Sequence, residues 1–179
     1  MPQPIPTTFN VLLPNLLRQI QTVTTFPAER CGVSQSGDPE QFMRQAEQVI
    51  LMRCGDQRPD LKSVQGRGRI SPLFDCQVTC ILWTRAVLDE MQRDLIRLTD
   101  LTLGHFVYQA KLWDALLCYE PTDAQGNWLV AQPIWPGPAQ SPMLGKGKDH
   151  VHPGWIWSGV EFTVKYAMLL PTPSSFNLG

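Results

Sequence analysis

The stretch Trp155-Ile156-Trp157-Ser158-Gly159-Val160-Glu161-Phe162-Thr163-Val164-Lys165-Tyr166 decides the fold. From Gly159 onward its residues alternate: Val160, Phe162, Val164 and Tyr166 against Gly159, Glu161, Thr163 and Lys165. A period of two places the first set on one side of a β-strand and the second on the other. A strand is therefore predicted over Trp155 to Leu170, with its apolar side in a core.

A second stretch, Leu73 to Arg85, has the same character. Cys76, Val78, Cys80 and Leu82 share one side, and Gln77, Thr79, Ile81 and Trp83 share the other. One wholly apolar side and one mixed side fit a sheet covered by helices on one face. Val49 to Cys54 reads as a further strand, and Asn127 to Trp135 as another, with Pro133 placing the latter at an edge or a bulge.

Helical spacing appears elsewhere. Phe9, Leu12, Leu13, Leu16, Leu17, Ile20 and Val23 recur at intervals of three and four. Proline is tolerated in a first turn, so this helix is expected to begin close to Pro14. Asp38-Pro39-Glu40-Gln41 has the capping residues of a short helix running through Ala46, and Asp89 to Thr99 is expected to be helical. Leu103 to Tyr119 is a further helix, with Phe106, Ala110, Trp113 and Leu117 along one stripe. Strands that follow one another without helical crossovers pair antiparallel. The expected fold is α+β: an antiparallel sheet of about four strands with helices packed on one face. It forms a single domain over residues 1–170, with a long Pro/Gly-rich loop at 136–154 and a flexible tail at 171–179.

Composition narrows the function. A chain of 179 residues, 43% hydrophobic and 17% charged, matches one globular domain. Sixteen prolines and thirteen glycines argue against a helical bundle. A net charge of -1 gives no reason to expect a polyanion or a membrane surface as partner. The five cysteines are an odd set without the dense spacing of a secreted scaffold, and the N-terminus has no basic signal region. Free thiols in a reducing cytosol are the simpler account. No apolar run approaches the roughly 18 residues that span a bilayer. The chain is thus expected to be neither secreted nor embedded in a membrane.

Catalytic and metal chemistry find little support. Cys76 and Cys80 look like a zinc pair, but four residues of strand separate them by roughly 13 Å, too far to share one ion. His150 and His152, with Asp149 beside them, face the same way in an extended segment, yet no second pair of ligands accompanies them. No glycine-rich elbow surrounds a cysteine to activate it, and His105, near a helix start, reads as a partly buried packing residue. Gly66-Arg67-Gly68-Arg69 resembles part of a phosphate loop, but a strand follows it where a helix is required. No catalytic residue, metal or cofactor is assigned.

Contact residues are a different matter. Arg67 and Arg69, at the mouth of a strand, suit carboxylates of a neighbouring subunit or a phosphate backbone, a solvated turn being the plainer alternative. Lys146 and Lys148 give the long loop a basic character that serves a partner or simply solvation. Trp155 and Trp157 lie on the mixed side of the last strand, either as a contact surface or as packing under the loop.

The order of these pieces resembles the tail terminator proteins of long-tailed bacteriophages, ring-forming subunits that cap the tail tube and join it to the head. The matching features are the helix ending near Val23, the strand Val49 to Cys54 and the Gly66-Arg67-Gly68-Arg69 turn before the strand Phe74 to Arg85. The helix Leu103 to Tyr119 and the closing Trp155-to-Tyr166 strand complete them. The resemblance covers most of the chain and rests on order and pattern; compact members of the family lack the length of 136–153. It implies a structural virion protein of the phage neck, a homo-hexameric ring assembled in the host cytoplasm. Its partners would be the tail tube protein and a head-completion or connector protein. DNA would pass through its channel without sequence-specific binding. The alternatives are another neck, connector, tail-tube or minor capsid subunit, or a small cytosolic metal- or thiol-dependent enzyme.

Overall fold

The computed structural model describes residues 4, 6–34, 46–60, 72–85, 104–139, 143–144 and 155–168. Its elements are helix α1 (Phe9–Thr24), a 3-10 turn (Ala28–Arg30), and strands β1 (Cys31–Val33), β2 (Gln48–Pro59) and β3 (Leu73–Arg85). Helix α2 (His105–Leu116) and strands β4 (Trp135–Ala139), β5 (Met143–Leu144) and β6 (Trp155–Ala167) follow.

The two stretches with strict alternation form the centre of the sheet. β3 and β6 pair antiparallel over their whole lengths, from Leu73 opposite Ala167 to Arg85 opposite Trp155. β2 pairs antiparallel with the other edge of β3, with a register shift between Cys54 and Gln57. The order is β1-β2-β3-β6-β4, and β5 also pairs with β6. The fold is therefore α+β as expected.

Two details of the sheet differ from expectation. It is mixed, because β1 runs parallel to β2, and it has six strands among the described residues where about four were expected. β1 and β5 have three and two residues, too short to show a period in sequence. The strand predicted over Asn127 to Trp135 is displaced as well. That segment is mostly bends, with an isolated bridge from Thr122 to Trp128, and the strand begins at Trp135. β4 thus occupies Trp135-Pro136-Gly137-Pro138-Ala139, within the range expected to be loop. Two prolines are tolerated because β4 is an edge strand, where an outward-facing nitrogen needs no partner.

One side of each central strand enters a common core. Ile50, Met52, Cys76, Val78, Cys80, Leu82, Val160, Phe162, Val164 and Tyr166 pack with Leu12, Leu16 and Ile20 of α1 and with Tyr108, Leu112, Ala115 and Leu116 of α2. Tyr166 is the largest fully buried side chain; its hydroxyl donates to Gln57 Oε1 at 2.8 Å, and its ring lies 5.8 Å from that of Phe9. On the opposite side of the sheet, Ala46, Val49 and Leu51 form a smaller cluster with Trp83.

α1 begins at Phe9, so Pro14 stands inside the helix and not in its first turn. Its missing N–H leaves the Asn10 carbonyl without the helical bond, on an exposed residue where water can replace it. Thr25 ends the helix with φ 60°. Of the helix predicted from Asp38 through Ala46 only Ala46 is described, and it is not helical; the rest of it, the helix predicted at 89–99 and the tail at 171–179 lie outside the described residues. Among the described residues no helix is long and apolar enough to cross a membrane.

Candidate interaction surfaces

The most concentrated polar chemistry is buried. Thr84 and Ser158 lie on neighbouring strands, on the side that faces α2, and His105 opens that helix just after Gly104. Its Nδ1 is 2.9 Å from Thr84 Oγ1 and its Nε2 is 2.7 Å from Ser158 Oγ. Gln109 Nε2 donates to the same serine oxygen at 3.3 Å. A neutral imidazole has one N–H and one bare nitrogen, and two hydroxyls can satisfy both. Burial lowers the His105 pKa from 6.5 to about 4, and its place in the first helical turn adds to the preference for the neutral ring.

A serine hydrogen-bonded to a neutral histidine has the outline of a nucleophile and its base. Thr84, His105 and Ser158 are nevertheless all fully buried, so a substrate has no approach to the serine oxygen. The network pins the start of α2 to β3 and β6. His105 is thus fully buried and hydrogen-bonded, where a partly buried packing residue was expected. A signal was legible: Thr84 and Ser158 interrupt otherwise apolar inward positions at the same end of two paired strands.

The thiols fare similarly as nucleophiles. Cys76 and Cys80 both point into the core, and desolvation raises them, Cys76 to about 12. Cys31 is likewise pushed up to about 12 by burial. A raised pKa removes thiolate, the reactive form. Among the described residues no group of His, Cys, Asp and Glu is arranged to hold a metal ion.

What remains is surface. Phe106, Trp113 and Leu117 are 46%, 42% and 45% exposed, and Ala110 between them is exposed too. The stripe that sequence periodicity singled out on this helix therefore faces solvent, while His105, Tyr108, Leu112, Ala115 and Leu116 face the core. Both stripes have helical spacing, and the inward one was missed because it includes a histidine and a tyrosine.

Trp135 is the most exposed large apolar side chain among the described residues, at 56%. It pairs with Thr163, and directly opposed residues of an antiparallel ladder point the same way. Trp135 therefore leaves the sheet on the side of Glu161 and Thr163, away from α2.

Trp155 and Trp157 are half-buried on that same side. Trp157 stands opposite Trp83, with ring centroids 5.8 Å apart, which ties it to the cluster of Val49 and Leu51. Trp155 stands opposite Arg85. Arg67, Arg69, Lys146 and Lys148, together with His150 and His152, lie outside the described residues. Comparison with known proteins finds no matching family model and no curated protein with significant sequence similarity.

Proposed function

We propose that this chain is a structural subunit that assembles head-to-tail into a ring, of the tail terminator kind that caps a phage tail tube and joins it to the head. The observation that carries the proposal is apolar surface in two separate places among the described residues. The stripe Phe106, Ala110, Trp113 and Leu117 lies on the helix side, and Trp135 on the sheet side. Two unlike surfaces favour heterologous contacts, which close into rings when the rotation between copies permits. The order of elements, with its closing Trp-to-Tyr strand, supports placing such a ring in the phage neck. The ring acts by geometry: it ends tube polymerisation and offers a docking surface to a head-completion or connector ring.

Solution mass and negative-stain imaging of the purified chain test the proposal together. A cyclic oligomer near six copies with a hollow centre is expected, and it should bind the ends of purified tail tubes. A stable monomer at high protein concentration that leaves tube ends bare would overturn it. Binding to the head vertex instead would move the chain to a neighbouring neck component.

A further inference from the structure

We infer that the start of α2 is an acid-opened latch: a second proton on His105 releases residues 104–107 from β3 and β6 while the remainder of the helix stays packed. The latch belongs to the single chain and does not depend on assembly. The two ends of α2 are held by different forces. Leu112, Ala115 and Leu116 stand in the apolar core, whose packing carries no titratable bond. Beyond them the Cys118 N–H donates to the Ile134 carbonyl at 2.8 Å, and the Ile134 N–H to the Tyr119 carbonyl at 3.1 Å. The start has no comparable apolar hold. Phe106 is exposed and Val107 half-buried, so of the first three helical residues His105 alone is buried. Gly104 offers no side chain to cap the helix, and the first turn has no acidic residue. Its tie to the sheet is the pair of hydroxyls, Thr84 and Ser158, on the imidazole. Tyr108 follows, its ring centroid 4.8 Å from that of Phe26, and there apolar packing takes over.

The tie serves one protonation state. In the neutral ring one nitrogen donates and the other accepts, so one of the two hydroxyls donates to it. A second proton makes both nitrogens donors and closes a positive charge away from water, which needs a carboxylate beside it. None is placed there among the described residues. Asp75 and Arg85 of β3, with Glu161 and Lys165 of β6, alternate to the opposite side of the sheet. β2 brings neutral Gln48 opposite Thr84, and β4 has no charged residue. Arg18, the one charged residue of α1, is exposed and acts on Tyr119 beyond the far end of α2. Lys111 lies over the Tyr108 ring and Asp114 is exposed, while Glu29 and Arg30 belong to the 3-10 turn that packs on β1 and β2. Burial therefore acts on His105 with no charged neighbour to offset it.

Opening lets the ring take its proton. In the opened turn His105 titrates at its ordinary 6.5, against about 4 in the closed one. Acid thus favours the open form, and pH above 6.5 the closed one. On those values the opening constant rises about 60-fold between pH 7 and pH 4.5. Phe106 leaves with the turn, which shortens the outward stripe to Ala110, Trp113 and Leu117. A buried histidine is in this way coupled to the exposed surface of its helix.

Hydrogen exchange of the full chain, corrected for the intrinsic pH dependence of amide exchange, tests the latch. The reporters are the Tyr108 amide, bonded to the Gly104 carbonyl at 3.3 Å, and the Gln109 amide one residue on. At pH 7 they should be roughly tenfold or more less protected than the Val160 to Tyr166 amides, as a sub-global opening is. Their protection should then fall about 60-fold by pH 4.5, and by about threefold or less in His105→Gln. Three results overturn the inference. Protection equal to that of β6 at every pH means the turn opens only when the whole domain unfolds. Lower protection that does not change with pH means the turn frays without His105 leaving its hydroxyls. A full fall that persists in folded His105→Gln assigns the proton to another group. The first two are read on the wild type, so they decide the matter even where His105→Gln does not fold.

Discussion

Helix α2 turns one apolar stripe toward the sheet and another away from it, and the inward stripe is the more polar of the two. Inward stand His105, Tyr108, Leu112, Ala115 and Leu116; outward stand Phe106, Ala110, Trp113 and Leu117. Burial here follows partners more than hydrophobicity. His105 can be inside because Thr84 and Ser158 meet both ring nitrogens, so its desolvation is compensated. Phe106 and Trp113 are outside because the sheet has room for only one side of a helix. The outward stripe leaves close to half of the Phe106, Trp113 and Leu117 side chains uncovered by the domain.

The contrast breaks most sharply at Leu112. It is fully buried among the strands and α1, so Leu112→Ala leaves a cavity that packed neighbours fill only in part. A loss of about 4 kcal/mol is expected in urea unfolding. A loss below about 1 kcal/mol would mean that the inward side of α2 is not the packed one.

Acid is the next largest lever, and on α2 it acts through His105 of the inward stripe. His105 must be neutral in the fold, with a pKa near 4, and titrates at the usual 6.5 when unfolded. Between those values the unfolded chain binds the extra proton, so stability is full above pH 6.5 and falls as pH drops toward 4. The gap corresponds to about 3 kcal/mol. Unfolding midpoints measured from pH 7 down to 4.5 should decline in the wild type. In His105→Gln the decline should be much smaller, from a lower starting stability. A flat wild-type profile would show that the ring accepts a proton in place, against its position between two hydroxyls.

Ser158→Ala separates the hydrogen bond from the burial. It leaves the Nε2 side of His105 and the Gln109 amide without a shared partner in a site closed to water. A cost of about 2 kcal/mol is expected, measured by the same unfolding curves at pH 7. Ser158→Thr, which keeps the hydroxyl, should recover part of it.

How much of this was legible in sequence follows from the same physics. β3 and β6 were readable because each has one side in the core, and a period of two survives over thirteen residues. α1 was readable from its spacing, although Pro14 misplaced its start, since an exposed carbonyl tolerates the missing bond. β1 and β5 were not readable because they are held by their neighbours and not by their own pattern. β4 was hidden by its prolines, which exclude a central strand but not an edge. On α2 the period showed the helix, but periodicity does not say which of two stripes faces in. That choice depended on Thr84 and Ser158, brought to His105 only by the pairing of distant strands. Of the exposed and half-buried tryptophans, Trp155 and Trp157 stand on the side of the sheet that the alternation predicts, whereas sequence assigns Trp135 only to an ordinary strand.

The smallest expected effect is the sharpest check on the outward stripe. Leu117 is as exposed as Phe106, ends α2, and donates its N–H to the Trp113 carbonyl at 2.7 Å, a bond the backbone keeps whatever the side chain. Leu117→Gln should therefore change monomer stability by about 0.5 kcal/mol or less. The measurement belongs at a protein concentration where the chain is monomeric, so that assembly does not contribute to the unfolding free energy by mass action. Against Leu112→Ala, five residues earlier on the same helix, the difference should approach an order of magnitude. If Leu117→Gln instead costs as much as an inward substitution, the outward stripe is packed against the domain itself, and α2 has no free face to offer a neighbour.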